Sequence, residues 1–288
     1  MGDSVVWGQG LEPGDKFDEQ LRVTLATSNP GGATLEALAH SGAVIDERGG
    51  ANNTEPGEVP VSCPSIREQC AAFTNHPDAV DVVVLNGGIN DVGLTTILNP
   101  LAGPLKARVR SACFEKMLVL LREVTAKFSK PTCRILLAGY YTILSSKSHP
   151  LGINRMLGLY GIRQPSFVGK GYDFASPVVD RCEQFSRLST DFLQNAIDAT
   201  GDLRARLVKS GFTDANAAFV KKTSLLWGLL PNLSAEDPVA LARQGDCRCA
   251  YPDVGNFLER EICFRASVGH PNLRGAVRYH DQLVAALP

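Results

Sequence analysis

The sequence predicts an α/β protein, with a parallel sheet covered by helices on both faces. Two short apolar runs, residues 81–86 (DVVVLN) and 134–138 (RILLA), are too brief for helices and lack alternation, the pattern of strands buried on both faces. Longer segments carry apolar residues at a helical period. Strands alternating with helices imply parallel pairing through crossover connections. Such sheets place their chemistry at the carboxyl ends of their strands.

In chain order, residues 34–39 (TLEALA) read as a short strand that ends at His40-Ser41-Gly42. A Gly/Asn/Pro-rich loop over 49–60 follows, and Ser65 is placed to cap a helix reaching about Phe73. The 81–86 strand ends in Gly87-Gly88-Ile89-Asn90-Asp91. From Pro104 to Phe128, Leu105, Val109, Cys113, Met117, Leu120, Leu121 and Val124 form a helical stripe with Pro near the first position. The 134–138 strand leads into Gly139-Tyr140-Tyr141. Ser176-Pro177 reads as a cap and first position for a long helix stopping near Gly201. Residues 217–220 (AAFV) read as a last short strand, and 271–287 as a closing amphipathic helix. No repeat or linker interrupts this rhythm, so residues 1–288 are taken as one domain. Segments near 151–175 and 224–262 are insertions in it. Within them, 151–162 (LGINRMLGLYGI) and 224–233 (SLLWGLLPNL) are apolar but broken by Gly and Pro. Each reads either as a surface element packed on the core or as a lid and acyl-chain wall.

Composition narrows the function classes. The 288 residues are 44% hydrophobic, enough for a sizeable core, and 29 Lys+Arg balance 30 Asp+Glu. A net charge of -1 without a basic run argues against nucleic acid and against a polybasic membrane anchor. No apolar run approaches the roughly 20 residues that span a bilayer. No secretory leader pattern opens the chain, so the compartment, cytoplasmic or extracellular, stays open. Asn52-Asn53-Thr54 and Asn232-Leu233-Ser234 fit the glycosylation triplet. Cys113 and Cys133 read as core residues; Cys63 and Cys70 share a loop; Cys182, Cys247, Cys249 and Cys263 are free to pair among themselves. Their spacing matches no zinc motif, no HExxH is present, and no GxGxxG follows a strand, so neither metal nor nucleotide cofactor is expected.

Three short blocks carry candidate chemistry. Gly2-Asp3-Ser4, followed by Gly8 and Gly10, permits a tight turn presenting a serine nucleophile, and equally a glycine-rich surface loop. Gly88-Ile89-Asn90-Asp91 sits where an Asn amide can face an oxyanion, or can simply bond its own turn. In Ser267-Val268-Gly269-His270-Pro271-Asn272, His270 stands at a helix start, where the helix dipole disfavours imidazolium. His40 lies beside the possible oxyanion loop, whereas His76, His149 and His280 read as loop or surface residues.

GDSVVWGQG, HSGA, GGIND and SVGHPN, in this order and spread over nearly the whole chain, resemble the GDSL/SGNH hydrolase family of serine esterases and lipases. HSGA is the weaker match. The resemblance implies a three-layer, flavodoxin-like α/β/α fold and a cofactor-free carboxylic ester hydrolase working through an acyl-enzyme. Ser4 would be the nucleophile and His270 the base; the backbone N–H groups of Ser4 and Gly42 and the side chain of Asn90 would form the oxyanion hole. Asp3, Gly88 and Ser267 would support them. The expected substrate is a small-molecule, lipid or glycan ester, with acyl-lipid or short-to-medium acyl esters ahead of carbohydrate O-acetyl groups. A non-catalytic binding module on the same scaffold is the alternative of another class. Two departures stand out. Ser267 occupies the place of the family's DxxH aspartate, leaving a backbone carbonyl, the Ser267 hydroxyl or a distant carboxylate such as Glu259 or Glu261 to orient His270. Only Met1 precedes Gly2, where the family has a hydrophobic strand, so a longer natural N-terminus is expected.

Overall fold

The computed structural model describes residues 1–46, 56–162, 174–229, 237–250 and 257–287, with the side chains of 248–250 and 257–260 left aside. It is a mixed α/β structure, mostly helical, with a small parallel sheet packed against helices. The elements in order are α1 (Ser4–Trp7), α2 (Phe17–Ser28), α3 (Ile66–Ala72), β1 (Val82–Leu85), α4 (Ile89–Val92), α5 (Leu94–Leu98) and α6 (Leu105–Arg110). A π-helical turn, Ser111–Lys116, joins α6 to α7 (Met117–Lys127). Then come β2 (Arg134–Ala138), α8 (Pro150–Leu159), α9 (Ala175–Thr200), β3 (Ala205–Val208), α10 (Ala240–Ala250), α11 (Phe257–Phe264) and α12 (Leu273–Ala286).

The strands lie in the order β1-β2-β3, with Val83 opposite Ile135 and Leu137 opposite Leu207. The central β2 buries four consecutive residues, Ile135 to Ala138, which accounts for its unbroken apolar sequence. Helix α9 packs on α5, α6, α7 and β3, while α12 packs on α2, β2 and β3. The described core is continuous across these elements. An aromatic group of Phe17, Tyr141, Phe212 and Tyr279 joins α2 and α12 to the end of β2, and the Tyr279 hydroxyl donates to the Gly139 carbonyl at 2.6 Å.

Several sequence expectations hold. Ser65 caps α3 in a full capping box with Glu68, and the 104–128 stripe is helical throughout. Both apolar runs are strands, and Gly201 ends α9 in a left-handed conformation. Others need correction. Residues 34–39 form no regular element, and most are exposed, so they lack the burial that a strand in the sheet would have. Residues 217–220 form a buried turn in which Phe219 has φ 63°, so their apolar character marks burial and not extended backbone. The third strand is instead Ala205–Val208, an edge strand whose exposed Arg206 breaks the apolar pattern. Helix α9 begins at Ala175, placing Ser176 and Pro177 inside its first turn. The cap of α12 is Asn272, whose side chain accepts from the Arg274 and Gly275 amides, so Pro271 precedes the helix. Of the apolar insertions, 151–162 includes most of α8, which buries Ile153, Met156 and Leu157; residues 163–173 and 230–236 lie outside the described structure. Where the resembled family has a leading strand, this chain places Met1, whose nitrogen donates to the Val84 carbonyl of β1 at 3.0 Å.

Candidate active site

The serine turn is built around a buried carboxylate. Asp3 caps α1 with its side chain, accepting from the Val5 amide at 2.9 Å. The same carboxylate accepts from Asn86 Nδ2 at 2.6 Å and from the Tyr140 hydroxyl at 2.6 Å. Asp3 is fully buried, and burial pushes its carboxyl above the usual range, opposed by these three donors. Three donors and no acceptor suit an ionised carboxylate. Tyr140 in turn accepts from the Ile89 amide at 3.0 Å, which fixes the start of α4 against the serine turn. Gln69 grips Gly2 from the other side, accepting from its N–H at 2.7 Å and donating to its carbonyl at 3.0 Å.

Ser4 and His270, 266 residues apart, meet here. The distance from Ser4 Oγ to His270 Nε2 is 2.7 Å. The other ring nitrogen, Nδ1, lies 3.1 Å from the Ser267 carbonyl oxygen. A carbonyl can only accept, so Nδ1 carries the proton and Nε2 is the bare nitrogen facing the serine hydroxyl. That is the tautomer a general base requires. Burial lowers the His270 pKa to about 4, with the bond to Ser267 opposing the shift and nearby Arg243 adding to it. The ring is therefore neutral at pH 7, chiefly by desolvation, because α12 begins only after Asn272. The His270 loop is held on both sides: the His270 carbonyl accepts from the Trp227 amide at 2.8 Å, and the Gly269 carbonyl accepts from the Tyr141 hydroxyl at 2.9 Å. No carboxylate bonds His270 among the described residues; Glu261 pairs with Arg265.

The two loops expected to serve an oxyanion are tied to this pair and to each other. The His40 amide donates to the Gly2 carbonyl at 3.0 Å, setting the HSGA loop beside the serine turn. Gly42 has φ 80°, and a Cβ there would stand 2.7 Å from the Val61 carbonyl oxygen, so only glycine fits. Asn90 donates through Nδ2 to the Ala43 carbonyl at 2.9 Å, spending one of its two amide protons to join α4 to the Gly42 loop. Asp91 reinforces the junction by accepting from the Ile45 amide at 3.0 Å. Gly88, φ 120°, precedes α4 where a Cβ would approach Cys113 Sγ at 2.9 Å. Among the described residues, the backbone N–H groups of Ser4 and Gly42 have no hydrogen-bond acceptor.

The sequence blocks supplied Ser4, Gly42, Asn90, Asp3, Gly88, Ser267 and His270, but not the residues that connect them. Asn86, Tyr140, Gln69, Tyr141 and Trp227 were missed. Two of these carried a usable signal, since Tyr140 and Tyr141 come one glycine after β2, at the strand end where parallel sheets place sites. His40 is buried with Nδ1 against the Ser41 carbonyl, and His149 caps α8. Cys113, Cys133 and Cys182 are buried thiols, Cys63 and Cys70 are also free, and Cys247 pairs with Cys263. Both glycosylation triplets lie outside the described residues. Among the described residues no cluster suited to a metal ion occurs, and no helix is long and apolar enough to cross a membrane. No protein-family model, curated protein or solved structure matches the chain.

Proposed function

We propose that this chain is a serine hydrolase of the GDSL/SGNH type, cleaving carboxylic esters through an acyl-enzyme. The observation that carries the reading is the 2.7 Å contact between Ser4 Oγ and the unprotonated Nε2 of His270. In the proposed reaction His270 takes the Ser4 proton as Oγ attacks the ester carbonyl, then returns it to the leaving alkoxide. Water repeats the cycle on the acyl-serine. The free N–H groups of Ser4 and Gly42, with the second amide proton of Asn90, are the donors proposed for the oxyanion. The sheet order, with helices of two separate groups (α12 with α2, α9 with α6 and α7) against it, supports a three-layer α/β/α arrangement of flavodoxin type.

For the substrate, acyl-lipid or short-to-medium acyl esters are favoured. Helix α8 lays Met156 against the His270 loop, where Met156 Cε and Ile143 Cγ2 each come within 3.4 Å of where a Gly269 Cβ would stand. Both side chains belong to the core, so the His270 loop is backed by apolar material, an environment that favours an acyl group over a charged one.

Fluorophosphonate labelling of the purified protein tests the reading, because the probe reacts only with an activated serine. Labelling is expected at Ser4, absent in Ser4→Ala and reduced by about 10³-fold or more in His270→Ala. A folded protein that does not label would favour a non-catalytic binding module. A chain-length series of p-nitrophenyl esters separates acyl from acetyl substrates; turnover confined to the acetate would favour a carbohydrate O-acetyl esterase.

A further inference from the structure

Arg243, on α10, is completely buried and sits in a group of charges between the two halves of the site. Its Nε donates to the Cys263 carbonyl at 2.8 Å and its Nη2 to the Phe264 carbonyl at 2.7 Å, gripping the end of α11 just before Ser267. Nη2 also pairs with the Asp237 carboxylate, and Nη1 lies 3.3 Å from Glu58 Oε2. Glu58 reaches the serine turn, accepting from Gln9 Nε2 at 2.8 Å and from Trp7 Nε1 at 3.1 Å. The Cys247–Cys263 disulfide, one helical turn along from Arg243, fastens the same junction of α10 and α11. Asp237 Cγ and Ser267 Cβ both lie close to Gly10, within 3.1 and 2.6 Å of where its Cβ would stand, so the charged group and the Ser267 segment meet on the same glycine.

A guanidinium forked onto two consecutive carbonyls sets both distance and angle, which a point charge does not. Three residues after Phe264, the Ser267 carbonyl stands 3.1 Å from His270 Nδ1, with the Ala266 main chain also bonding the ring. We propose that Arg243 is the positioning residue that holds the Ser267 carbonyl against His270 and thereby sets the Ser4–His270 contact. The inference rests on the serine-hydrolase reading above. It assigns to a buried arginine and its disulfide-braced junction the geometric role that no side-chain carboxylate fills among the described residues.

The test compares Arg243→Lys, which keeps the charge and loses the fork, with Val124→Ala, a buried change in α7 that lowers stability away from the site. Two readouts are taken on folded protein: the rate of Ser4 fluorophosphonate labelling, and the Nδ1–H resonance of His270, assigned by its absence in His270→Ala. Arg243→Lys is expected to slow labelling about 10- to 100-fold, the cost of a displacement near 1 Å, and to move or abolish the resonance. Val124→Ala is expected to leave both unchanged. A normal rate and resonance in Arg243→Lys would overturn the proposal alone. Absence of Ser4 labelling in the unaltered protein would overturn the hydrolase reading, while the resonance still tests the grip. If Arg243→Lys does not fold, Cys247→Ser/Cys263→Ser decides: the same two changes support the braced junction, and unaltered values contradict it.

Discussion

The two halves of the site are held by opposite means. Around Ser4, side chains do the work: the Asp3 carboxylate gathers the Val5 amide, Asn86 and Tyr140, and Tyr140 passes the constraint to Ile89. Around His270, the contacts run mostly through main chain: the Ser267 carbonyl faces Nδ1, Trp227 exchanges backbone bonds with Gly269 and His270, and the Tyr141 hydroxyl donates to the Gly269 carbonyl. The fully buried carboxylate thus sits behind Ser4 and not behind His270. A neutral carbonyl can fix a tautomer as well as a carboxylate can, because it accepts but never donates. It cannot stabilise an imidazolium to the same degree. The comparison predicts a well-oriented base of low proton affinity, consistent with the lowering of His270 to about 4.

Substitutions can break this contrast, beginning with the largest effect. Asn90→Ala removes both a proposed oxyanion donor and the bond to the Ala43 carbonyl, and should lower kcat/KM on a p-nitrophenyl ester by about 10²–10³. Asp3→Asn sets an amide donor against one of three donors. It should cost about 1–3 kcal/mol in a urea unfolding experiment, with a loss of Ser4 labelling that follows the displaced turn. Ser267→Ala is the sharpening case. The orienting atom is its carbonyl, which alanine retains, so kcat/KM should change by less than about 3-fold. A 100-fold loss in Ser267→Ala would instead make the hydroxyl the partner of the base.

Local chemistry determined how much could be read from the sequence. Residues 81–86 and 134–138 were legible because a strand buried on both faces must be continuously apolar, and Ser65 was legible because a capping box is a local pattern. Strand β3 was not, since the exposed Arg206, which reaches the Ala286 carbonyl at the end of α12, interrupts its apolar run, whereas 217–220 imitated a strand because a turn driven into the core needs the same apolar residues. The site blocks were legible as residue types in order. Their connections were not: the Asp3–Tyr140–Ile89 chain spans 137 residues between its first two members, and no local spacing encodes it. The missing DxxH aspartate was visible as an absence, but which of the open alternatives replaced it depended on the backbone path from Ser267 to His270.

The central claim is a Ser4–His270 pair whose base is oriented by a carbonyl and kept neutral by burial. The direct measurement is the pH dependence of fluorophosphonate labelling at Ser4 in the unaltered protein, with circular dichroism confirming the fold at each pH. Protonation of Nε2 disables the base, so the rate falls only as pH drops through the His270 pKa. The account predicts a rate nearly constant from pH 8 to about 5.5 and half-maximal near about 4. A midpoint at the ordinary histidine value of 6.5 or above would contradict it, because that is the mark of a base backed by a carboxylate or open to water.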